Sequence, residues 1–113
     1  MKTETGYKVV DTDGKQLVSA ITLAGQVRYF KNKWTKRKKG NGPLAVFHRL
    51  RDAKLFALGN EYWSHGFRIY KCEYVPSKAK GLWLNKMPAS QCPQGTLFAD
   101  RVKLGKRSWR VRA

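Results

Sequence analysis

The sequence contains few acidic side chains. Only 7 Asp and Glu residues stand against 24 Lys and Arg residues in 113, which gives a formal net charge of +17. Self-repulsion at this charge opposes a compact state, so we expect a polyanion to offset it when the protein works. Nucleic acid is the polyanion that best suits this balance, because contacts to phosphates release counterions. A basic domain without such a partner is the alternative.

Cysteine and histidine are also scarce, with two of each. Cys72 and Cys92 lie outside any CxxC pair, and with His48 and His65 they match no standard zinc-finger spacing. Cys72 alternates with tyrosines, which predicts a buried thiol in a strand. We therefore expect no metal site and no cofactor.

Long apolar runs are absent as well. A transmembrane helix needs about 18 or more consecutive apolar residues, and none occur here. The polar stretch over residues 1–7 lacks the apolar segment of a signal peptide. We therefore expect no membrane partner and a cytoplasmic location, while the oligomeric state stays open.

What the sequence does contain is enough for one folded domain over residues 1–113. Hydrophobic residues make up 42% and aromatic residues 12% of the chain, which suffices for one core. Patterning predicts one helix at about residues 49–58, with Leu50, Ala53, Phe56 and Ala57 at helical spacing. The predicted strands are Tyr7–Val10, Gln16–Ile21, Val27–Phe30, Leu44–Phe47, Phe67–Tyr74 and Thr96–Leu104. This order predicts an α+β fold, a mostly antiparallel sheet with the helix packed on it.

Simple alternation also predicts which faces of the last two strands are buried. In Phe67–Tyr74, it places Ile69 on the face opposite to Tyr70. In Thr96–Leu104, it places Ala99 on the face opposite to Val102. After this strand, residues 105–113 form either an edge strand or a basic tail.

The most basic stretch is KNKWTKRKKGNGP, residues 31–43, which we predict to be a loop. Its cations are Lys31, Lys33, Lys36, Arg37, Lys38 and Lys39, and Trp34 lies among them. The Trp34 ring either packs beneath the sheet or stacks on an unpaired base. The stretch is therefore either a solvated loop or a binding surface.

A second basic cluster surrounds Trp109 near the end of the sequence. Its members are Arg101, Lys103, Lys106, Arg107, Arg110 and Arg112. A third contains Lys78, Lys80 and Lys86 beside Trp83. Cations interleaved with aromatic rings are typical of nucleic-acid binding, since cations hold phosphates while rings meet bases.

The first two clusters form the predicted binding site for DNA or RNA. No helix-turn-helix, zinc finger or RNA-recognition signature accompanies them, so we expect contacts to the backbone with low sequence specificity. His48 or His65 with a nearby Glu, such as Glu61 or Glu73, could act as a general base, but no spacing indicates a nucleophile or a metal triad. We assign no catalytic residue and expect a protein that is not an enzyme.

Several short stretches carry a resemblance to known proteins. GYKVV, LVSA, GPLAVF, AKLFA, IYKCEY and GTLFADRVKL together resemble small uncharacterised proteins of phages and other viruses. This resemblance implies action in the host cytoplasm, on nucleic acid or on the enzymes that handle it. An inhibitor or adaptor that binds an acidic host protein, such as a nuclease or polymerase, is one such alternative. The segments VFHRLRDAKLFA and FRIYKCEY are similar to ADP-ribosyltransferase folds, which implies an NAD-using transferase as a further alternative.

Overall fold

The computed structural model describes residues 2–20, 27–37, 43–60, 66–78, 81–82, 87–88 and 92–110. Its strands before the helix are β1 (Glu4–Asp13), β2 (Gln16–Ser19), β3 (Arg28–Tyr29), β4 (Trp34–Lys36) and β5 (Leu44–Phe47). The helix α1 (Leu50–Gly59) is followed by β6 (Arg68–Pro76), β7 (Gly81–Leu82), β8 (Met87–Pro88) and β9 (Thr96–Arg110). The predicted α+β class is confirmed: among the described residues, one helix packs on a seven-stranded, mostly antiparallel sheet.

Two long strands, β1 and β9, organise the sheet. The strand β1 pairs with β2, β5 and β6, and β9 pairs with β4, β5 and β6, all antiparallel. The pairings β1–β6–β9–β5–β1 therefore run in a closed ring, although β5 meets β1 only at Phe47 opposite Tyr7. The hairpin from β1 to β2 turns at Gly14, whose φ of 62° lies in the region that glycine adopts most readily.

The sheet has a separate core on each of its faces. The first core is built from the strand region alone and consists of Val10, Leu17, Val27, Tyr29, Leu44, Val46, Tyr70, Cys72, Tyr74, Ala99, Val102 and Leu104. The second core lies between the sheet and α1 and contains Val9, Phe47, Ala53, Ala57, Phe67 and Ile69. The prediction that Ile69 and Tyr70 lie on opposite faces of the sheet is confirmed. We call the face that carries the second core the outer face.

Small residues let α1 lie close to the sheet. Ala53 and Ala57 are fully buried, as their spacing predicts. The Phe56 ring lies between two other rings, with centroid distances of 5.6 Å to Phe47 and 5.8 Å to Phe67. The helix therefore covers one end of the outer face with apolar side chains, which excludes water from that end.

The prediction that Ala99 and Val102 lie on opposite faces of β9 is wrong, because the alternation of side chains is interrupted at Asp100. Val102 pairs with Tyr74 of β6, whereas Ala99 pairs with Pro76, so β9 advances three residues while β6 advances two. This β-bulge resets the alternation, and Ala99 joins Val102 in the first core. An extra residue cannot be read from hydrophobic spacing alone, because it depends on the partner strand.

The strand β9 also continues beyond the predicted end at Leu104. It stays paired with β6 as far as Arg110, which lies opposite Arg68. Residues 105–110 are therefore a paired strand, and residues 111–113 lie outside the described part of the chain.

Candidate nucleic-acid interface

The basic stretch that we predicted to be a loop contains a strand. Its residues Trp34–Lys36 form β4, which pairs with β9 in an antiparallel register. Trp34 lies opposite Lys103, and Lys36 lies opposite Arg101. The loop prediction is therefore wrong here, because pairing with β9 satisfies the backbone of β4 despite its polar side chains. Two basic clusters that are far apart in sequence become neighbours.

The pairing register also shows on which face these side chains lie. Between the two basic pairs, Thr35 lies opposite Val102, which is fully buried in the first core. Because side chains alternate along a strand, the two flanking pairs project from the opposite, outer face. Trp34 is 39% exposed. The ring is therefore not packed in either core, and part of it is exposed to solvent.

The same register continues across two more strands. Lys103 lies opposite Glu73 of β6, and Glu73 lies opposite Thr5 of β1. Trp34, Lys103, Glu73 and Thr5 thus form one row across four adjacent strands. In the next row, Lys36 and Arg101 are followed by Val75. Neighbouring strands lie about 4.8 Å apart, so side chains in one row are close neighbours.

A cleft of about 300 Å³ opens next to this row. The polar residues that line it are Thr5, Asn32, Lys71, Glu73, Lys103 and Lys106. We call the six residues Trp34, Lys36, Lys71, Arg101, Lys103 and Lys106 the basic patch. The patch combines three exposed cations and the partly exposed Arg101 and Lys103, from three strands, with one exposed aromatic ring.

A second bulge in β9 shapes the cleft. Leu104 pairs with Cys72 and Arg107 pairs with Tyr70, so β9 again has one residue more than β6. Gly105 lies in this bulge, where an added Cβ would come within 3.1 Å of the Lys71 carbonyl oxygen. The close approach of the two backbones therefore favours glycine at this position.

The turn before β4 forms the other wall of the cleft. Asn32 has a φ of 60°, an uncommon conformation for a residue other than glycine but one that asparagine tolerates. Its backbone N–H donates a 2.9 Å hydrogen bond to the carbonyl oxygen of Leu104. The neighbouring Lys31 forms a parallel bridge with the same residue. The turn is therefore fixed against β9.

The cations of the patch have little acidic compensation. In the part of the chain that the structure describes, no carboxylate lies within 4 Å of the Lys71, Lys103 or Lys106 ammonium group. Arg37 differs, since its Nε lies 3.5 Å from Oδ1 of Asp100. Three Lys residues and one Glu line the cleft, so the formal charge of its lining is +2.

The remaining predicted site residues are more scattered. Lys31, Lys33 and Arg107 are exposed, and the Lys31 ammonium group lies 5.9 Å from the centroid of the Tyr70 ring. Trp109 is half-buried against the second core, opposite Ile69 of β6. Only the backbone of Arg110 is described, and Lys38, Lys39 and Arg112 lie outside the described residues, as do Lys80, Lys86 and Trp83 of the third cluster.

Sequence reasoning missed Lys71. Its position between Tyr70 and Cys72 places it on the face opposite to those two buried residues, so alternation was the signal that could have found it. Its nearness to Lys103 and Lys106 depends on the register of β6 against β9. That register is not visible in the sequence.

One lysine is buried rather than exposed. The Lys8 ammonium group donates a hydrogen bond to the Ala45 carbonyl oxygen and lies 5.1 Å from the centroid of the Tyr29 ring. Burial lowers the Lys8 pKa to about 8, although the nearby Cys72 opposes this shift. Burial also raises the pKa of the Cys72 thiol to about 12. Cys72 is a free, buried thiol, as its pattern predicts, and stays protonated at neutral pH.

The described residues contain no cluster of three or more His, Cys, Asp and Glu side chains that could hold a metal ion. His48 and Glu73 are exposed, and Glu61 and His65 lie outside the described residues. None of the described helical residues form a helix of the length and apolar character required to cross a membrane.

No family model, no curated protein and no solved structure matches the chain. The resemblances to viral proteins and to ADP-ribosyltransferases stay hypotheses.

Proposed function

We propose that the protein binds nucleic acid through the basic patch, by contacts to phosphates, with low sequence specificity and without catalysis. The observation that carries this proposal is the register of β4 on β9. It places Trp34 beside Lys103 and Lys36 beside Arg101 on the exposed outer face. A sheet surface with cations and an open aromatic ring suits a nucleic-acid strand.

Electrostatics supports a polyphosphate partner in particular. Lys71, Lys103 and Lys106 lack an acidic neighbour within 4 Å among the described residues, so their charges are available to a ligand. When such lysines neutralise phosphates, they release the cations condensed on the nucleic acid, which favours binding. Lysine acts as a point charge and imposes little geometry, which favours contacts to the backbone over reading of base edges.

The test is fluorescence polarisation with labelled DNA and RNA at about 50 mM and about 200 mM salt. We expect binding at the lower salt, with a Kd that increases steeply at the higher salt because released counterions are taken up again. The variant Lys36→Gln/Arg101→Gln/Lys103→Gln should reduce the affinity at least about tenfold and flatten the salt slope by about 3.

A matched control keeps the net charge of the test variant. Arg49→Gln/Arg51→Gln/Lys54→Gln removes three cations from the helix region instead of the patch, and we expect a reduction of less than about threefold. Thermal melting of both variants checks that each is folded. The absence of binding to DNA and RNA at the lower salt would contradict the proposal, as would equal losses in the two variants.

A further inference from the structure

The cleft and the exposed ring of Trp34 lie side by side. Trp34 is the cross-strand neighbour of Lys103, and Lys103 forms part of the cleft wall together with Lys71 and Lys106. The strand spacing of about 4.8 Å puts the ring and the cleft within the span of one nucleotide. Both elements belong to paired strands, so their separation is set by the sheet.

We propose that the cleft is a phosphate subsite for single-stranded nucleic acid, and that Trp34 stacks on the base next to the bound phosphate. This inference rests on the proposed function and deepens it in two ways. It names the form of the nucleic acid, a single strand, and it assigns the phosphate to Lys71, Lys103 and Lys106.

Charge and size both indicate a phosphate in the cleft. Three Lys residues from two strands line a volume of about 300 Å³, at the small end of the range for ligand sites. Asn32 and Thr5 add uncharged polar groups to the walls. The Glu73 carboxylate repels a phosphate from its part of the cleft wall, so the anion is directed towards the lysines.

Two backbone features, the bulge at Gly105 and the turn at Asn32, give the cleft its shape. The bulge at Gly105 changes the direction in which β9 presents its side chains, and bulges of this kind are frequent beside functional sites. The positive φ of Asn32 is held by the hydrogen bond from its N–H to Leu104. This uncommon conformation is therefore fixed by pairing with β9.

The exposed ring favours a single strand over a duplex. In a duplex each base stacks on its neighbours, so the base faces are closed to a protein side chain. A single strand has open base faces, and stacking on an aromatic side chain stabilises the complex by about 1–3 kcal/mol per base. Because β4 belongs to the sheet, the Trp34 backbone is already ordered before a strand binds.

The experiment compares labelled single strands of about ten nucleotides with a hairpin duplex, at one salt concentration in the range where binding depends on salt. We expect the single strand to bind at least about tenfold more tightly than the duplex. Trp34→Ala should weaken single-strand binding by about tenfold and leave duplex binding unchanged, while Trp34→Phe retains most of the affinity because it keeps a ring.

The cleft is tested separately with Lys71→Gln/Lys106→Gln. This variant should reduce single-strand affinity by about tenfold or more, whereas Lys15→Gln/Lys54→Gln, which removes the same charge elsewhere, should reduce it by less than about threefold. Equal binding of duplex and single strand with no effect of Trp34→Ala would overturn this inference. So would equal losses in the two lysine variants, although salt-dependent binding would still support the proposed function. No binding to any nucleic acid would overturn both.

Discussion

The outer face of β6 and β9 has two halves that differ in what covers them. In one half, Ile69 of β6 lies opposite Trp109 of β9, and both pack in the core beneath α1. In the other half, the exposed Glu73 lies opposite the partly exposed Lys103, and the cleft opens beside them. We call these the covered half and the bare half.

Both halves belong to the same two strands, β6 and β9. The difference between them therefore follows from the side chains that project from the outer face. Apolar side chains in the covered half gain free energy when α1 removes them from water. A helix over the bare half would have to bury ammonium groups that no carboxylate within 4 Å compensates among the described residues, which is unfavourable. Of these two halves, the covered half therefore contributes more to stability, and we place binding in the bare half.

The largest expected effect comes from opening the covered half. Ile69→Ala should lower the free energy of unfolding by about 3 kcal/mol, because Ile69 is fully buried and its truncation leaves a cavity. Denaturant titration measures this loss. Nucleic-acid affinity should stay the same under conditions where the variant is folded. A variant of wild-type stability would show that this half contributes little to the fold.

The two tryptophans give the sharpest contrast between the halves. Trp109→Ala should lower the free energy of unfolding by about 2 kcal/mol, since its half-buried ring packs on the second core. Trp34→Ala should change it by less than about 0.5 kcal/mol, because the ring is exposed. Thermal melting of the two variants side by side tests this order. A reversed order would contradict the assignment of the halves.

Lys8 is a buried cation that lies outside the bare half, so it can be compared with the cations of the bare half. Its pKa falls from 10.5 to about 8 on folding, so the unfolded chain binds more protons between these values. Lys8 should therefore contribute a rise of about 1 kcal/mol in the free energy of unfolding from about pH 8 to about pH 9. Denaturant titrations at these two pH values measure the rise.

The control for this prediction is Lys8→Met, which should abolish the rise. The raised pKa of Cys72 acts in the opposite direction within the same window, because the unfolded thiol titrates near its ordinary value of 9.0, and the raised pKa of Tyr29 does so at higher pH. The difference between the wild-type protein and Lys8→Met therefore isolates the contribution of Lys8. An equal rise in the variant would show that another group causes it.

The smallest expected effect is at the rim of the bare half. Asp100→Asn removes the pair with Arg37, whose two side chains are each 43% exposed. Because solvent screens such a pair, the free energy of unfolding should change by less than about 0.5 kcal/mol. Nucleic-acid affinity should rise slightly, by up to about twofold, since an acid beside the patch is lost. A weaker affinity would argue that Asp100 orients Arg37 for binding.

The covered half was largely predictable from the sequence, and the bare half was not. Helical spacing predicted that Ala53 and Ala57 face the sheet, and alternation placed Ile69 and Tyr70 on opposite faces of β6. Both patterns are local in the sequence. The patch depends on the register of β4 on β9 and on bulges at Asp100 and Gly105. These are properties of strand pairs, and a polar strand such as β4 has no hydrophobic pattern to reveal it.

Mapping the surface by nuclear magnetic resonance tests the central claim most directly. A labelled sample titrated with a single-stranded oligonucleotide should show chemical-shift changes at the amides of Trp34–Lys36, Lys71 and Arg101–Lys106, with α1 unaffected. Changes centred on α1, or none at low salt, would contradict the account.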